Sequence, residues 1–550
     1  MRRTGVRRDP PAVFPTRRFR PRMTCAPVRV ADLPRRLKCF AQASSSISEV
    51  ICNFRYYRII RCRFAARADA QRQLHMWRMM RGRNSAGWLQ IPNRSLSITH
   101  IGKIIWTSLL AGRVESRVET PDFGKWKTAA GELAQSQASM THAGRDELTK
   151  ALIGLDALFR SAPPSVHKSY RNLSERRLEE SARNFGNSIG EGRILWSLSE
   201  ENPEQVALLL GGVIRAIDRV LLERRSQWPI SPKEWCLEEL GCWFIPRLGA
   251  SAGRPARRSQ AYTKRGMLFH RILPTFIDNY PVEVVDSRTL HSAAQDPAKW
   301  KMGACLFEAV KLEAEFATAD GDKRFTVRGA DAASAEDAVS VQMAGAFQEN
   351  CIAIVWPELT VSPELRDRIV KLIRERDVAD PLEPPEIVLP GTGHETAGKG
   401  TVNRARIYDG YGGELLVYDK IAPYADDDWG IENIVAGERI CVLATEGALI
   451  GVAICLDFCD VCSTPFSDLD VDVMLVPSMG NDRTMQGHQT TASQVEVKFG
   501  TRSFVVQHPT HNRYADARLG TVLPLLKEPN GVSTRELGQK TVWTAYKWGH

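Results

Sequence analysis

The hydrophobic pattern changes period along the chain. From about residue 146 to 245 apolar residues recur at helical spacing. The clearest case follows Asn202-Pro203-Glu204, a cap and first turn, after which Val206, Leu209, Leu210, Val213, Ile217 and Leu221 mark one face. Trp228-Pro229 and Pro232 end that helix, and the Gly/Ser/Arg-rich stretch 249–259 reads as a linker. In the last 200 residues short β-rich runs alternate with helical segments. Ile352-Ala353-Ile354-Val355 has the unbroken apolar character of a buried strand, and Ser362-Pro363-Glu364 caps a helix whose Leu365, Ile369, Leu372 and Ile373 share a face. Further strands are predicted at 387–389, 402–408, 414–418, 440–444, 449–455, 471–476 and 503–507. Asp409-Gly410 with Gly412-Gly413, and Glu446-Gly447, supply hairpin turns. Strands joined partly by hairpins and partly by helices predict a layered α/β sandwich with a mixed sheet.

At 550 residues, 43% apolar and 25% charged, the chain is too long for one compact core, and its composition is that of neither a collagen, a wholly disordered chain nor a membrane bundle. Its longest uncharged apolar run, 206–214, has nine residues and stops at Arg215, short of the ~20 needed to span a bilayer. No membrane association is expected.

Charge alters the picture at one end only. Residues 1–90 hold 20 Arg, one Lys and four acids, a net of +17 against +10 for the whole chain, so the remainder is net acidic. Runs such as Arg2-Arg3, Arg7-Arg8 and Arg17-Arg18-Phe19-Arg20 would neutralise phosphates on nucleic acid or lipid. Without a reader motif or a sustained period, this part reads as a disordered tail, or as translation upstream of a true start, ahead of a nucleic-acid-binding arm. The start also lacks the apolar stretch of a signal peptide. Twelve cysteines without the spacing of a disulfide scaffold make the cytoplasm the expected compartment.

Three polar residues stand at the ends of predicted strands: Glu358 in IAIVWPEL, Lys420 in LLVYDKIAPY and Cys455 in GVAICLD. A thiol that attacks a carbon needs a base to take its proton, a cation to hold the developing negative charge and a sharp turn to present it. Glu, Lys and Cys meet those needs. Other groupings fare worse. Cys455-x3-Cys459-x2-Cys462 has the spacing of an iron–sulfur loop, but the 88 residues after Cys462 are too few for the strand–helix units such a loop serves. Cys459-x2-Cys462 with His508-x2-His511 has a His pair tighter than zinc sites use. Tyr424-Ala425-Asp426-Asp427 lacks the flanking apolar strands that a two-Asp metal turn requires. No metal or organic cofactor is expected.

With these motifs in order, residues 300–545 resemble the carbon–nitrogen hydrolase (nitrilase) superfamily. The resemblance rests on Pro357-Glu358-Leu359 after an apolar strand, on Asn403, Gly412-Gly413 and Tyr418-Asp419-Lys420, and on the elbow from Gly451 to Asp457. The spacings of 62 residues from Glu358 to Lys420 and 35 from Lys420 to Cys455 are similar to the family's. It implies a nitrilase-like αββα sandwich, with Cys455 as nucleophile, Glu358 as general base and then acid, and Lys420 as oxyanion stabiliser. Glu432, in Glu432-Asn433-Ile434-Val435-Ala436-Gly437, falls where the family keeps a second active-site Glu. The aromatic that the family carries in that segment is absent, Leu456 replaces the usual aromatic after the cysteine, and the Arg-Phe-Pro-Glu stretch of some branches is missing. The resemblance therefore leaves the substrate branch open.

The expected organisation is a basic segment over 1–145, a mainly helical region of unassigned role over 146–290, and the nitrilase-like domain over 300–550. The expected activity is hydrolysis of a small amide or nitrile through a cysteine thioester, and the resemblance adds a homo-oligomer. The competing expectation is a catalytically inactive nitrilase-like module fused to a nucleic-acid-binding N-terminus.

Overall fold

The computed structural model describes residues 123–547 apart from 141, 199–201, 225–231, 248–252, 254–260, 288–299, 309, 320, 333, 377–383, 399, 460–463, 510–517, 525–526, 529–530, 533–534 and 539–541. The Arg-rich segment 1–90 and the residues Cys462 and His511, on which the iron–sulfur and zinc readings depend, lie outside the described residues.

Five helices, Phe123–Ala138, Arg145–Arg160, Pro164–Asn172, Glu175–Gly190 and Pro203–Glu223, share one apolar core. Two of the starts are capped by side chains. The Asn202 side chain accepts from Glu204 N at 2.9 Å with Pro203 in the first turn, and Ser174 accepts from Arg177 N at 3.3 Å. The last helix is central because it is buried on more than one face: Val206, Leu210, Val213, Ile214, Ile217 and Leu221 line an apolar face, and Gly211, Arg215 and Asp218 are buried on another. Gly212 lets the helix before it come close, since a Cβ there would stand 2.1 Å from Ser181 Oγ.

A small antiparallel sheet of Cys236–Leu237, Cys242–Pro246 and His270–Pro274 follows. Its last strand is tied to the central helix by the buried Asp218, which accepts from Leu268 N at 2.5 Å and Phe269 N at 2.9 Å and meets His270 Nδ1 at 2.6 Å.

The rest is a mixed α/β fold. One sheet runs, edge to edge, Thr392–Ala397, Gly400–Tyr408, Ile387–Leu389, Ala353–Val355, Lys301–Cys305 and Trp543–Lys547, with Glu414–Asp419 also pairing to Gly400–Tyr408. The other runs Arg535–Gly538, Arg518–Leu523, Arg502–Pro509, Val473–Gly480, Leu449–Val452, Ile440–Ala444, Tyr280–Asp286 and Phe276–Ile277. Tyr280–Asp286 thus enters this sheet from upstream of residue 300, parallel to Ile440–Ala444.

The two sheets share a core: Met302, Ala304, Ala353 and Val355 of one lie with Val442, Ile450, Leu475 and Val506 of the other. On the first sheet's opposite face Ile354 and Val388 meet Val339 and Met343 of helix Ala335–Gln348 and Leu365 and Ile369 of helix Pro363–Arg374. Successive strand residues point to opposite faces, so a strand covered on both must be apolar throughout, as Ala353-Ile354-Val355 is. Helix Asp482–Phe499 packs Met485, Ala492, Val495 and Phe499 into the core cluster that holds the second sheet.

A hairpin of Val310–Ala319 and Asp322–Ala332 belongs to neither sheet. It joins Gly430–Glu432 and Ala425–Asp426 in a separate four-stranded sheet. Among the described residues, no helix is long and apolar enough to cross a membrane.

Candidate active site

Strand Ala353–Val355 runs into Trp356-Pro357, and Glu358 follows at its C-terminal end. The backbone there is pinned. Leu359 takes a left-handed φ of 57°, its N–H donates to Thr392 O at 3.1 Å, and a Cβ on Gly391 would stand 2.2 Å from Pro357 O. Lys420 follows strand Glu414–Asp419; its N–H donates to Asn403 O at 2.8 Å and its carbonyl accepts from Gly437 N at 2.8 Å. Cys455 was expected to close a strand over 449–455, but the strand stops at Val452 and Cys455 opens a single 3₁₀ turn, Cys455–Phe458. Its φ of 46° is the reason: left-handed backbone cannot continue a ladder, and in a residue with a Cβ it is a strained conformation that the surroundings must hold.

Asp457 holds it. Its carboxylate accepts from Ala422 N at 2.7 Å, from Ile421 N at 3.1 Å and from the Tyr418 hydroxyl at 2.6 Å, as well as from Ile454 N at 3.3 Å. The turn carrying Cys455 and the loop carrying Lys420 are thereby stapled together. Burial pushes the Asp457 carboxyl up to about 6, against the pull of Tyr418, the Ala422 and Ile421 amides and Lys420.

The structure brings together all four residues that the sequence singles out. Glu358, Lys420, Glu432 and Cys455 are at most 2% exposed. Lys420 Nζ donates to Glu358 Oε1 and to Glu432 Oε2, each at 2.7 Å, and Asn403 Nδ2 bridges the same two carboxylates at 2.9 and 2.8 Å. Burial alone would push the Lys420 ammonium down; Glu358 and Glu432 outweigh it and hold its pKa well above the ordinary value. Burial would likewise raise Glu432, but Lys420 and His394 keep it well below the usual carboxylate range.

Cys455 Sγ donates to Met479 O at 3.4 Å, and Met479 N donates to Glu358 Oε2 at 3.1 Å, so one residue touches both the cysteine and the acid. Burial, followed by the charge of Glu358, raises the Cys455 thiol well above its ordinary value, although Lys420 and a hydrogen bond with Ser478 lower it.

Several participants carried no readable signal. His394 accepts from Val327 N through Nδ1 at 2.8 Å; since a backbone N–H can only donate, the ring proton sits on Nε2 and points to Glu432 Oε1 at 2.9 Å. His488 Nδ1 lies 2.7 Å from Phe458 O, so that nitrogen carries the proton and Nε2 accepts from Ser478 Oγ at 3.0 Å. Burial lowers His488 to about 4. Cys459 is also buried, its sulfur directed to Thr484 O at 3.7 Å rather than to the acids. Among the described residues, no group of three or more His, Cys, Asp or Glu is placed to hold a metal ion.

The arrangement defines a class of site: a buried thiol on a strained turn beside a carboxylate–ammonium–carboxylate chain. Comparison with known proteins gives the following. No family model matches the chain, and no curated protein matches it. Solved structures do. An amidase from Nesterenkonia sp. is 15% identical, covering 45% of this chain and 89% of its own, with a TM-score of 0.31. A variant of that amidase carrying the acetamide moiety of fluoroacetamide covalently on its active-site cysteine is 16% identical, covering 46% and 91%, with a TM-score of 0.32. An active-site variant of the Nesterenkonia AN1 amidase, described as from the nitrilase superfamily, is 16% identical, covering 45% and 90%, with a TM-score of 0.31. The chain is thus similar to nitrilase-superfamily amidases over about 45% of its length.

Proposed function

We propose that the chain is a thiol hydrolase that cleaves the carbon–nitrogen bond of a small amide or nitrile through a thioester on Cys455. The observation that carries this reading is the placement of Lys420 Nζ 2.7 Å from both Glu358 and Glu432, beside a cysteine at positive φ. We assign it to a nitrilase-like αββα sandwich over about 300–550 to which strands Phe276–Ile277 and Tyr280–Asp286 are added from upstream, preceded by a mainly helical region over 146–290 whose core also takes in helix Phe123–Ala138, and by a basic segment over the rest of 1–145. The described cysteines are free thiols, which suits a reducing, cytoplasmic setting.

On an amide, Glu358 takes the Sγ proton as sulfur bonds to the carbonyl carbon and the C=O π electrons move onto oxygen. Lys420 Nζ and the Leu456 N–H then hold the oxyanion. The oxyanion collapses, the C–N bond breaks, and Glu358 returns its proton to the departing nitrogen. Water then attacks the thioester: Glu358 takes a water proton, the C–S bond breaks, and that proton returns to sulfur. Glu432 keeps Lys420 fixed while Glu358 cycles between charged and neutral.

The test is ammonia release from primary amides together with intact-protein mass spectrometry. A substrate-dependent acyl adduct that disappears in Cys455→Ala supports the reading, and turnover that survives Cys455→Ala overturns it.

A further inference from the structure

The hairpin Val310–Ala332 leaves the two large sheets and comes to rest on the catalytic residues. Its second strand pairs in parallel with the strand carrying Glu432, through Ile431↔Arg324 and Glu432↔Phe325. The Val327 N–H is latched to His394, whose other nitrogen holds Glu432. Hairpin and acid are therefore fixed to each other twice.

The face turned inward is apolar. Phe325 and Val327 form a buried cluster with Leu359 and Met479, rimmed by Leu312, Tyr424 and Trp429. Leu359 is the residue after the proposed base, and Met479 touches both Cys455 and Glu358 through its main chain. Several of the hairpin's charges lie on the solvent side: Lys311, Glu313, Glu315 and Arg328 are exposed, and Arg328 pairs with Glu315 at 2.8 Å, whereas Lys323 Nζ lies 4.6 Å over the Phe316 ring at the outer end of the apolar face. An aromatic series connects the cluster to the surface, with Trp429 edge-on to Phe325 at 5.2 Å and to the half-exposed Phe316 at 5.6 Å.

Building on the proposed thiol hydrolase, we infer that this hairpin is the specificity-determining roof of the Cys455 site, and that Phe325 and Val327 with Leu359 and Met479 select an uncharged, apolar acyl group. An acyl chain bound to Sγ extends past Met479 and Leu359 onto the roof. Each buried methylene gains affinity there, and a terminal carboxylate or ammonium loses its water with no partner in the cluster.

The experiment uses the full chain and two readouts. The first is kcat/KM for ammonia release from acetamide, propionamide and butyramide, with succinamate as the charged counterpart of butyramide. The expected result is a rise of roughly fourfold per methylene and a succinamate value at least about 100-fold below butyramide. Phe325→Leu and Val327→Ala flatten the rise to less than about twofold per methylene; Arg328→Ala, on the solvent face, leaves the series unchanged. The second readout needs no turnover: protection of Cys455 from iodoacetamide by butyraldehyde against succinic semialdehyde, both of which add reversibly to a thiol. Protection by butyraldehyde at concentrations at least about tenfold lower, lost in Phe325→Leu, upholds the roof even where no amide is hydrolysed and only the hydrolase reading falls. Equal or better use of the charged member in either readout, or a Phe325→Leu effect that is uniform along the series, overturns the inference.

Discussion

The Tyr418 hydroxyl donates to Asp457 Oδ2 at 2.6 Å with both groups buried, so the strand that ends at Lys420 and the turn that begins at Cys455 share one hydrogen bond across the fold. The distance between ammonium and thiol is governed from behind by residues that touch neither substrate nor proton. Tyr418→Phe is expected to cost about 1.5–3 kcal/mol through the lost hydrogen bond to a charged group and to lower kcat more than it raises KM. Paired urea melts and kinetics check it.

Asp457 also makes stability depend on pH. Its folded-state pKa of about 6 lies above the ordinary aspartate value, so its protonation favours the fold. That contribution is fully present below about pH 4 and lost as pH rises through 6. Asp457→Asn should remove this slope, so that its stability relative to the parent chain improves between pH 4 and 6.5. Thermal melts at half-unit pH steps give the comparison, and an unchanged difference across that window counts against the assignment.

Lys420→Ala leaves Glu358 and Glu432 buried without their shared cation. A loss of about 3–5 kcal/mol is expected on that ground, together with loss of turnover. Glu432 sets the direction with pH: held low by Lys420, it contributes stability present above its unfolded value of about 4.3 and lost as pH falls. The deficit of the variant should therefore be full above about pH 4.3 and shrink as pH falls below it in melts of the two chains side by side.

Because the Cys455 thiol is raised, iodoacetamide should label it more slowly at pH 7 than an ordinary exposed cysteine, with a rate still climbing above pH 9. Cys459→Ser should leave that profile and turnover within about threefold, whereas Cys455→Ala should remove at least ~10³-fold of turnover. Peptide mapping of the labelled chain distinguishes the two sulfurs.

His488 is expected to act on acid stability rather than on the activity profile. Its lowered pKa of about 4 means that the fold resists its protonation, so its contribution is present above about 6.5 and lost as pH falls through 4. His488→Gln should flatten acid unfolding between pH 6.5 and 4 without adding or removing an inflection in kcat/KM above pH 5. Circular dichroism and initial rates test the two halves separately.

Glu358, Lys420 and Cys455 were legible because strand ends and turn residues are local properties: an apolar run, a Gly-Gly hairpin and a Gly-x-x-Ile-Cys elbow each announce themselves within a dozen residues. Asn403 and Glu432 became readable only through the resemblance. His394 and His488 were not, since a single histidine on a strand or helix has no spacing to read, and their roles arise from neighbours dozens of residues away. The hairpin was missed although Val310, Leu312, Ala314 and Phe316 alternate with Lys311, Glu313 and Glu315 at strand period. The strand Tyr280–Asp286 was hidden by Pro281, which disfavours a central strand; its parallel partner, Ile440–Ala444, lies more than 150 residues on.

That strand has a practical meaning. In Ile440–Ala444 every residue is paired on its upstream-facing side by Tyr280–Asp286. A chain cut just before residue 300 would retain every side chain discussed at Cys455 and yet present Ile440–Ala444, an unbroken row of buried apolar residues, as a raw edge with open N–H and C=O groups. Such an edge adds strands from other molecules. The segment before residue 300 thus covers an open edge of the sheet that leads to Cys455, and removing it should promote self-association before any effect on chemistry can be seen.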